Sequence, residues 1–192
     1  MIVTILSGSS RTNSSTLRAC KGLERVLLER GARKVNVVSF EDFDIPFFNG
    51  PDIQPEALTP FQARLVAAMT EADSIIMATP EYNWFPSAEL VNLIHRLADK
   101  PFLPIWQNKV FSFVGVSTGR GGRMPTVQLG YVVDKIISVL NISAMTNPKS
   151  FEIQFIKQVL DAEGQSLGNA EFDRGMELFI DYMLDTTKRW KA

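Results

Sequence analysis

The stretch Ile2-Val3-Thr4-Ile5-Leu6-Ser7-Gly8-Ser9-Ser10-Arg11-Thr12-Asn13-Ser14-Ser15-Thr16 decides the fold. Its first five residues are apolar or β-branched and do not alternate with polar ones, the pattern of a strand buried on both faces. A Ser/Gly turn ends the run. Leu17, Cys20, Leu23, Leu27 and Leu28 then recur at helical spacing and stop at Gly31, a helix-ending residue. Strand, polar turn and amphipathic helix make the first half of a βαβ unit.

The same alternation continues outward. Val35 to Ser39 reads as a second strand, and the next 21 residues, 40 to 60, hold four of the ten prolines and read as an irregular connection. Phe61 to Glu71 is a helix, Ser74 to Ala78 a third strand, and Ser87 to Ala98 a helix with Leu90, Leu93, Ile94 and Leu97 on its buried stripe. Lys100 to Gln107 reads as a loop around Pro101 and Pro104. Val110 to Val116 is a fourth strand, Ser117 to Arg123 a glycine-rich loop, Pro125 to Leu140 a helix and Ile142 to Met145 a fifth strand. A last helix, Glu171 to Arg189, presents Phe172, Met176, Phe179 and Met183 on one face for docking. This order predicts right-handed crossovers and a five-stranded parallel sheet covered on both faces, an α/β three-layer sandwich formed by one domain over residues 1–192.

Composition narrows the function. Twenty basic residues stand against twenty-one acidic ones, a formal charge of −1, so there is no basic excess for general nucleic-acid binding. The single Cys and single His supply neither an internal disulfide nor a zinc-ligand spacing, and no metal is expected. No apolar run approaches the length of a membrane helix, and the start lacks the basic segment of a signal peptide. The expected location is the cytoplasm, away from membranes.

An open parallel sheet binds ligands beyond the carboxyl ends of its strands. The first loop there carries hydroxyls at Ser9, Ser10, Thr12, Ser14, Ser15 and Thr16, the Arg11 guanidinium and the free amides of a helix start, together an anion site. Neither a dinucleotide fingerprint nor a P-loop is present, which leaves a single phosphate; simple helix capping needs only one or two of these hydroxyls. The third loop, Thr79 to Pro86, sets Tyr82, Trp84 and Phe85 between two prolines. Its aromatics either lie against a flat heterocycle or pack inward as a rigid turn. The fourth loop, Ser117 to Arg123, offers three glycines and two arginines, as a cover for a ligand or as a solvated surface loop. Three strand ends that the fold brings together suit a planar mononucleotide.

GSSRTNSST after the first strand and PEYNWFPSAELVNLIHRL after the third resemble the NADPH-dependent FMN reductase family, flavodoxin-like proteins that include chromate, quinone and azo-compound reductases. Gly8, Ser9, Arg11, Ser14 and Thr16 match the family's first loop; Pro80, Glu81, Tyr82 and Asn83, then Leu90, Asn92 and Ile94, match its third; Gly121-Gly122 resembles its fourth. The proline after the third-loop motif comes one residue early, and Val91 and His95 replace the usual Lys and Asp. The resemblance implies FMN, with its phosphate on Ser9, Arg11, Ser14, Ser15 and Thr16. It implies the flavin ring against Pro80, Glu81, Tyr82, Asn83 and Trp84, flanked by Ser117, Thr118, Gly119, Arg120 and Gly121. It implies NADPH or NADH as co-substrate, a small-molecule acceptor (flavin, quinone, azo compound or chromate) and a homodimer, with a tetramer left open.

Hydride transfer would then be the cofactor's chemistry, with no catalytic side chain required. His95 lies down a helix away from the strand ends and is assigned to the surface or an interface. Cys20, on an apolar stripe, is read as an inert core thiol. The competing reading is a flavodoxin-type carrier that binds FMN and is reduced only by a partner. Such carriers tend to be strongly acidic; the near-neutral charge and Arg120 favour the enzyme.

Overall fold

The computed structural model describes all 192 residues. Six strands, β1 (Ile2–Ser7), β2 (Lys34–Ser39), β3 (Ser74–Pro80), β4 (Val110–Val116), β5 (Met145–Thr146) and β6 (Phe151–Ile153), form one sheet. The order is β2-β1-β3-β4-β5, with β6 also on β4, and every pairing is parallel. The fifth lane is thus shared by two short strands. β5 pairs with Val110 and Phe111, β6 with Val114 to Val116. The expected strand at Ile142 to Met145 starts three residues later than its pattern suggests, and β6 was not anticipated. The fold class is as expected.

Residues that alternate along each strand separate into two cores. Leu6, Ile75, Met77, Phe111 and Phe113 face α2 (Pro60–Glu71), α3 (Ala88–Leu97) and α4 (Arg123–Leu140). Val3, Ile5, Ile76, Ala78, Val114 and Val116 face α1 (Ser15–Glu29) and α6 (Ala170–Lys191), with the single turn α5 (Ile156–Val159) at their border. The predicted stripe of the last helix is there: Met176, Phe179 and Met183 are buried in the second core and Phe172 packs at its edge. Cys20 lies in the same core, and burial pushes its thiol up to about 12, which keeps it an unreactive thiol.

Local chemistry explains the boundaries. Thr59 and Gln62 form a reciprocal capping box at the start of α2, with Pro60 in the first turn. After α1 the Gly31 and Ala32 amides return to the Leu28 and Leu27 carbonyls, Gly31 taking φ 85°. Lys100–Ile105, read as a loop from its prolines, is a 3₁₀ helix started by Asp99. Trp106, fully buried, donates its indole N–H to the Leu97 carbonyl at 2.8 Å and so closes α3. No helix is long and apolar enough to cross a membrane.

Lys109 has a measurable consequence. Its ammonium, buried at the amino end of β4, donates to the Thr70 and Ala72 carbonyls at 2.6 and 2.7 Å, where α2 ends. Burial, with a smaller push from Lys191, lowers its pKa to about 8. The unfolded chain holds the proton up to the ordinary lysine range, so above pH 8 the unfolded state binds more protons and folding stability rises with pH. Between pH 7.5 and 9 the wild type should gain about 1 kcal/mol relative to Lys109→Met. Paired urea titrations across that range check it; parallel pH profiles would contradict the buried charge.

Candidate functional site

The chain leaves β1 for β2 on one side and returns to β3 on the other, so the loops after β1 and β3 adjoin at the topological switch point. The loop after β4 stands beside them.

The first loop starts tight. The Gly8 amide donates to the Ala78 carbonyl at 2.9 Å, and a Cβ on Gly8 would collide with the Leu90 side chain. Ser9 is buried, and its hydroxyl accepts from the Arg11 amide at 3.4 Å. Ser14 caps α1, its hydroxyl accepting from the Leu17 amide at 3.0 Å. That leaves the amides of Ser15 and Thr16 without an acceptor in the protein, as expected of a first helical turn. The Thr16 hydroxyl is buried and likewise has no partner. Arg11 is exposed and pairs with no carboxylate. A buried hydroxyl without a partner, free amides and an unpaired guanidinium on one short loop are the donor set that an anion needs. The residues therefore fit a phosphate.

Two neighbours of this loop escaped the sequence reading. Glu41, just past β2, accepts from the Asn13 amide at 2.6 Å, and Glu89, in the first turn of α3, accepts from the Ser10 hydroxyl. The only signal for either is its position beside a carboxyl-end loop.

The third loop continues the sheet for one more residue, the Glu81 amide donating to the Val116 carbonyl at 2.9 Å. Tyr82 and Phe85 then exchange both backbone bonds at 3.0 Å around Asn83 and Trp84. Asn83 and Trp84 have φ 52° and 72°, the positive pair that a two-residue hairpin turn of the I′ kind demands. Asn accepts this conformation readily; an indole-bearing residue does not. The aromatics do not pack inward: Tyr82, Trp84 and Phe85 are 40%, 70% and 62% exposed and form an open platform. Pro80 is buried as the last residue of β3. Relieving the strain by Trp84→Gly should stabilise the ligand-free protein by about 1 kcal/mol, read as a higher melting temperature. A fall instead would mean the indole packs against the protein.

Glu81 was expected beside a ring. The structure gives its carboxylate a definite partner, the amide of Gly122, which is the N-cap of α4 and has no capping side chain of its own. A carboxylate at a helix start is favourable, and this one comes from the neighbouring loop. A Cβ on Gly121, at φ 150°, would fall 2.5 Å from Glu81 Oε1. The fourth loop is also held from the far side. Ser117 donates its amide to the Ile153 carbonyl at 2.9 Å, and Gly119 accepts from the Phe155 amide at 3.0 Å. The Gly119 amide turns back on the Ser117 hydroxyl at 3.2 Å. Thr118 and Arg120 are exposed, whereas Arg123 pairs with Glu152 at 3.1 Å. His95 is exposed on α3 beside Phe48, in an aromatic contact of 6.2 Å between ring centres. The fifteen residues singled out from the sequence therefore stand in or directly beside three adjacent loops, Pro80 ending β3 and Ser15 and Thr16 opening α1.

Comparison with known proteins bears on the family and the fold. The family model described as NADPH-dependent FMN reductase matches residues 1–162. An NAD(P)H-dependent FMN reductase of Pseudomonas aeruginosa is 27% identical over 146 residues, 76% of this chain and 73% of its own length. Among solved structures, the flavoenzyme NAD(P)H:(acceptor) oxidoreductase FerB of Paracoccus denitrificans superposes with a TM-score of 0.73 at 18% identity, covering 98% of this chain and 97% of FerB. A flavodoxin from the domain Archaea covers both chains fully with a TM-score of 0.54 at 10% identity. At such identities the structural likenesses speak for the fold alone.

Proposed function

The chain belongs to the NADPH-dependent FMN reductase family, and on that premise we propose that its three carboxyl-end loops hold FMN and serve NAD(P)H-driven reduction of a small acceptor. Membership makes it an oxidoreductase with FMN as cofactor and NAD(P)H as co-substrate. The acceptor is the finer reading: a free flavin, a quinone, an azo compound or chromate.

The observation that carries the assignment is the unpartnered Thr16 hydroxyl, buried beside the free Ser15 and Thr16 amides. Ser9, Ser14 and Ser15 complete a cradle for the phosphate, with Arg11 as its counter-charge. Pro80, Glu81, Tyr82, Asn83 and Trp84 line the ring's edge and face, the exposed aromatics shedding water when the ring covers them. Ser117, Thr118, Gly119, Arg120 and Gly121 flank the other side. Glu81 acts by holding Gly122, and so fixes the distance between the two loops. When bound, FMN would supply the two-electron redox chemistry between the nicotinamide and the acceptor. The protein contributes position: Arg120, exposed at the rim, draws in the phosphates of the nicotinamide nucleotide.

A homodimer is supported by an exposed apolar stripe on α4, Met124, Val127 and Tyr131. The cytoplasm is the proposed compartment. Anaerobic mixing of the FMN-loaded protein with NADPH tests the whole assignment. The flavin absorbance should bleach without any added reductase. A flavin that binds but stays oxidised would mark an electron carrier of the flavodoxin kind instead.

A further inference from the structure

Two donors on the Gly8–Thr16 loop, beside the phosphate cradle, already have anionic partners. Glu89 accepts from the Ser10 hydroxyl, and Glu41 accepts from the Asn13 amide at 2.6 Å. Neither contact is local. The carboxylates come from elements 79 and 28 residues along the chain, and they approach the loop from α3 and from the end of β2. Asn13 itself takes φ 51°, a left-handed conformation that asparagine tolerates.

The local charge balance makes these contacts consequential. Arg11 is the one cation within the loop. The next two along α1 are committed elsewhere: Arg18 donates to the Leu160 carbonyl at 3.2 Å, and Lys21 pairs with Glu163 at 2.7 Å. Two carboxylates therefore face one free guanidinium before any phosphate dianion arrives. A dianion entering the cradle comes to rest on the same short loop that both carboxylates already touch. Like charges gathered on one loop repel even in a high dielectric.

We propose that Glu41 and Glu89 are built-in competitors of the flavin phosphate, which weaken its hold and make FMN an exchangeable ligand rather than a permanently bound one. This rests on the phosphate assignment of the Gly8–Thr16 loop. It concerns affinity and release, not the redox step, and it gives these residues a role in setting which flavin the site prefers. With the carboxylates in place the advantage of FMN over riboflavin is reduced; without them it grows.

The test is equilibrium titration of wild type, Glu41→Gln, Glu89→Gln and the double variant with FMN and with riboflavin, followed by quenching of flavin fluorescence. Glutamine keeps the acceptor oxygen and removes the charge; Glu41 is exposed and Glu89 half-buried, and melting temperatures of the variants without flavin check that folding is intact. Each single change should tighten FMN by about five- to tenfold and slow its release in proportion, with riboflavin unaffected. A wild-type preference for FMN that neither variant increases, or that either variant reduces, would overturn the proposal and leave the phosphate site standing. Equal affinity for the two flavins in wild type, persisting in the double variant, would remove the phosphate site and the proposal with it.

Discussion

Gly115→Ala should destabilise the protein by about 3 kcal/mol, the upper end of the usual cost of forced overpacking. Gly115 is in β4, hydrogen-bonded in register between Thr79 of β3 and Glu152 of β6. A Cβ built there runs into the Gly122 carbonyl oxygen and lands 2.6 Å from its carbonyl carbon. The obstacle is backbone, so no rotamer change relieves it. Gly122 cannot retreat easily, because its amide is held by Glu81 and its chain enters α4 at once. Chemical denaturation measures the loss. If the loop does move away, the cost falls on the ligand instead, and FMN affinity drops while the melting temperature barely changes. A Gly115→Ala protein with both quantities intact would mean that the close approach of β4 and the fourth loop is not present in solution.

Arg11→Ala should weaken FMN by about 1.5 to 3 kcal/mol, the worth of a charge-assisted hydrogen bond, or roughly ten- to a hundredfold in Kd. The side chain is exposed and bonds to no carboxylate, so its removal leaves no buried group unsatisfied. Stability without flavin should stay within about 0.5 kcal/mol of wild type, as for an ordinary surface change. Riboflavin supplies the control, since it lacks the group that Arg11 meets. Equal losses for FMN and riboflavin would place Arg11 at the ring or at no ligand. An unchanged FMN titration would take Arg11 out of the cradle.

The strands and long helices were legible because burial imposes a period on the chain. β3 and β4 read as unbroken apolar runs since each has a core on both faces. The last helix announced itself through Met176, Phe179 and Met183. What escaped was short or capped from afar. β6 has three residues, too few to carry a period, and α5 is a single turn preceded by Phe155 at φ 47°. The 3₁₀ helix was hidden by Pro101 and Pro104, which suit a loop as well as a tight helix. At the candidate site the local patterns named the three loops, because Ser, Thr, Gly and Arg at strand ends have few other reasons to cluster. They did not reveal that Glu81 reaches Gly122, or that Glu41 and Glu89 dock on the first loop. Those contacts depend on how separate crossovers converge, and no local spacing encodes that.

The divided fifth lane has a consequence for coexistence with other chains. β5 offers two residues and β6 three, and between them Asn147 folds inward, its amide bonded to the Phe111 carbonyl at 2.7 Å, while Pro148 removes a donor. An incoming strand would find no continuous row of vacant amides and carbonyls on which to template itself. At this border the sheet is blunted against edge-to-edge pairing with a second chain.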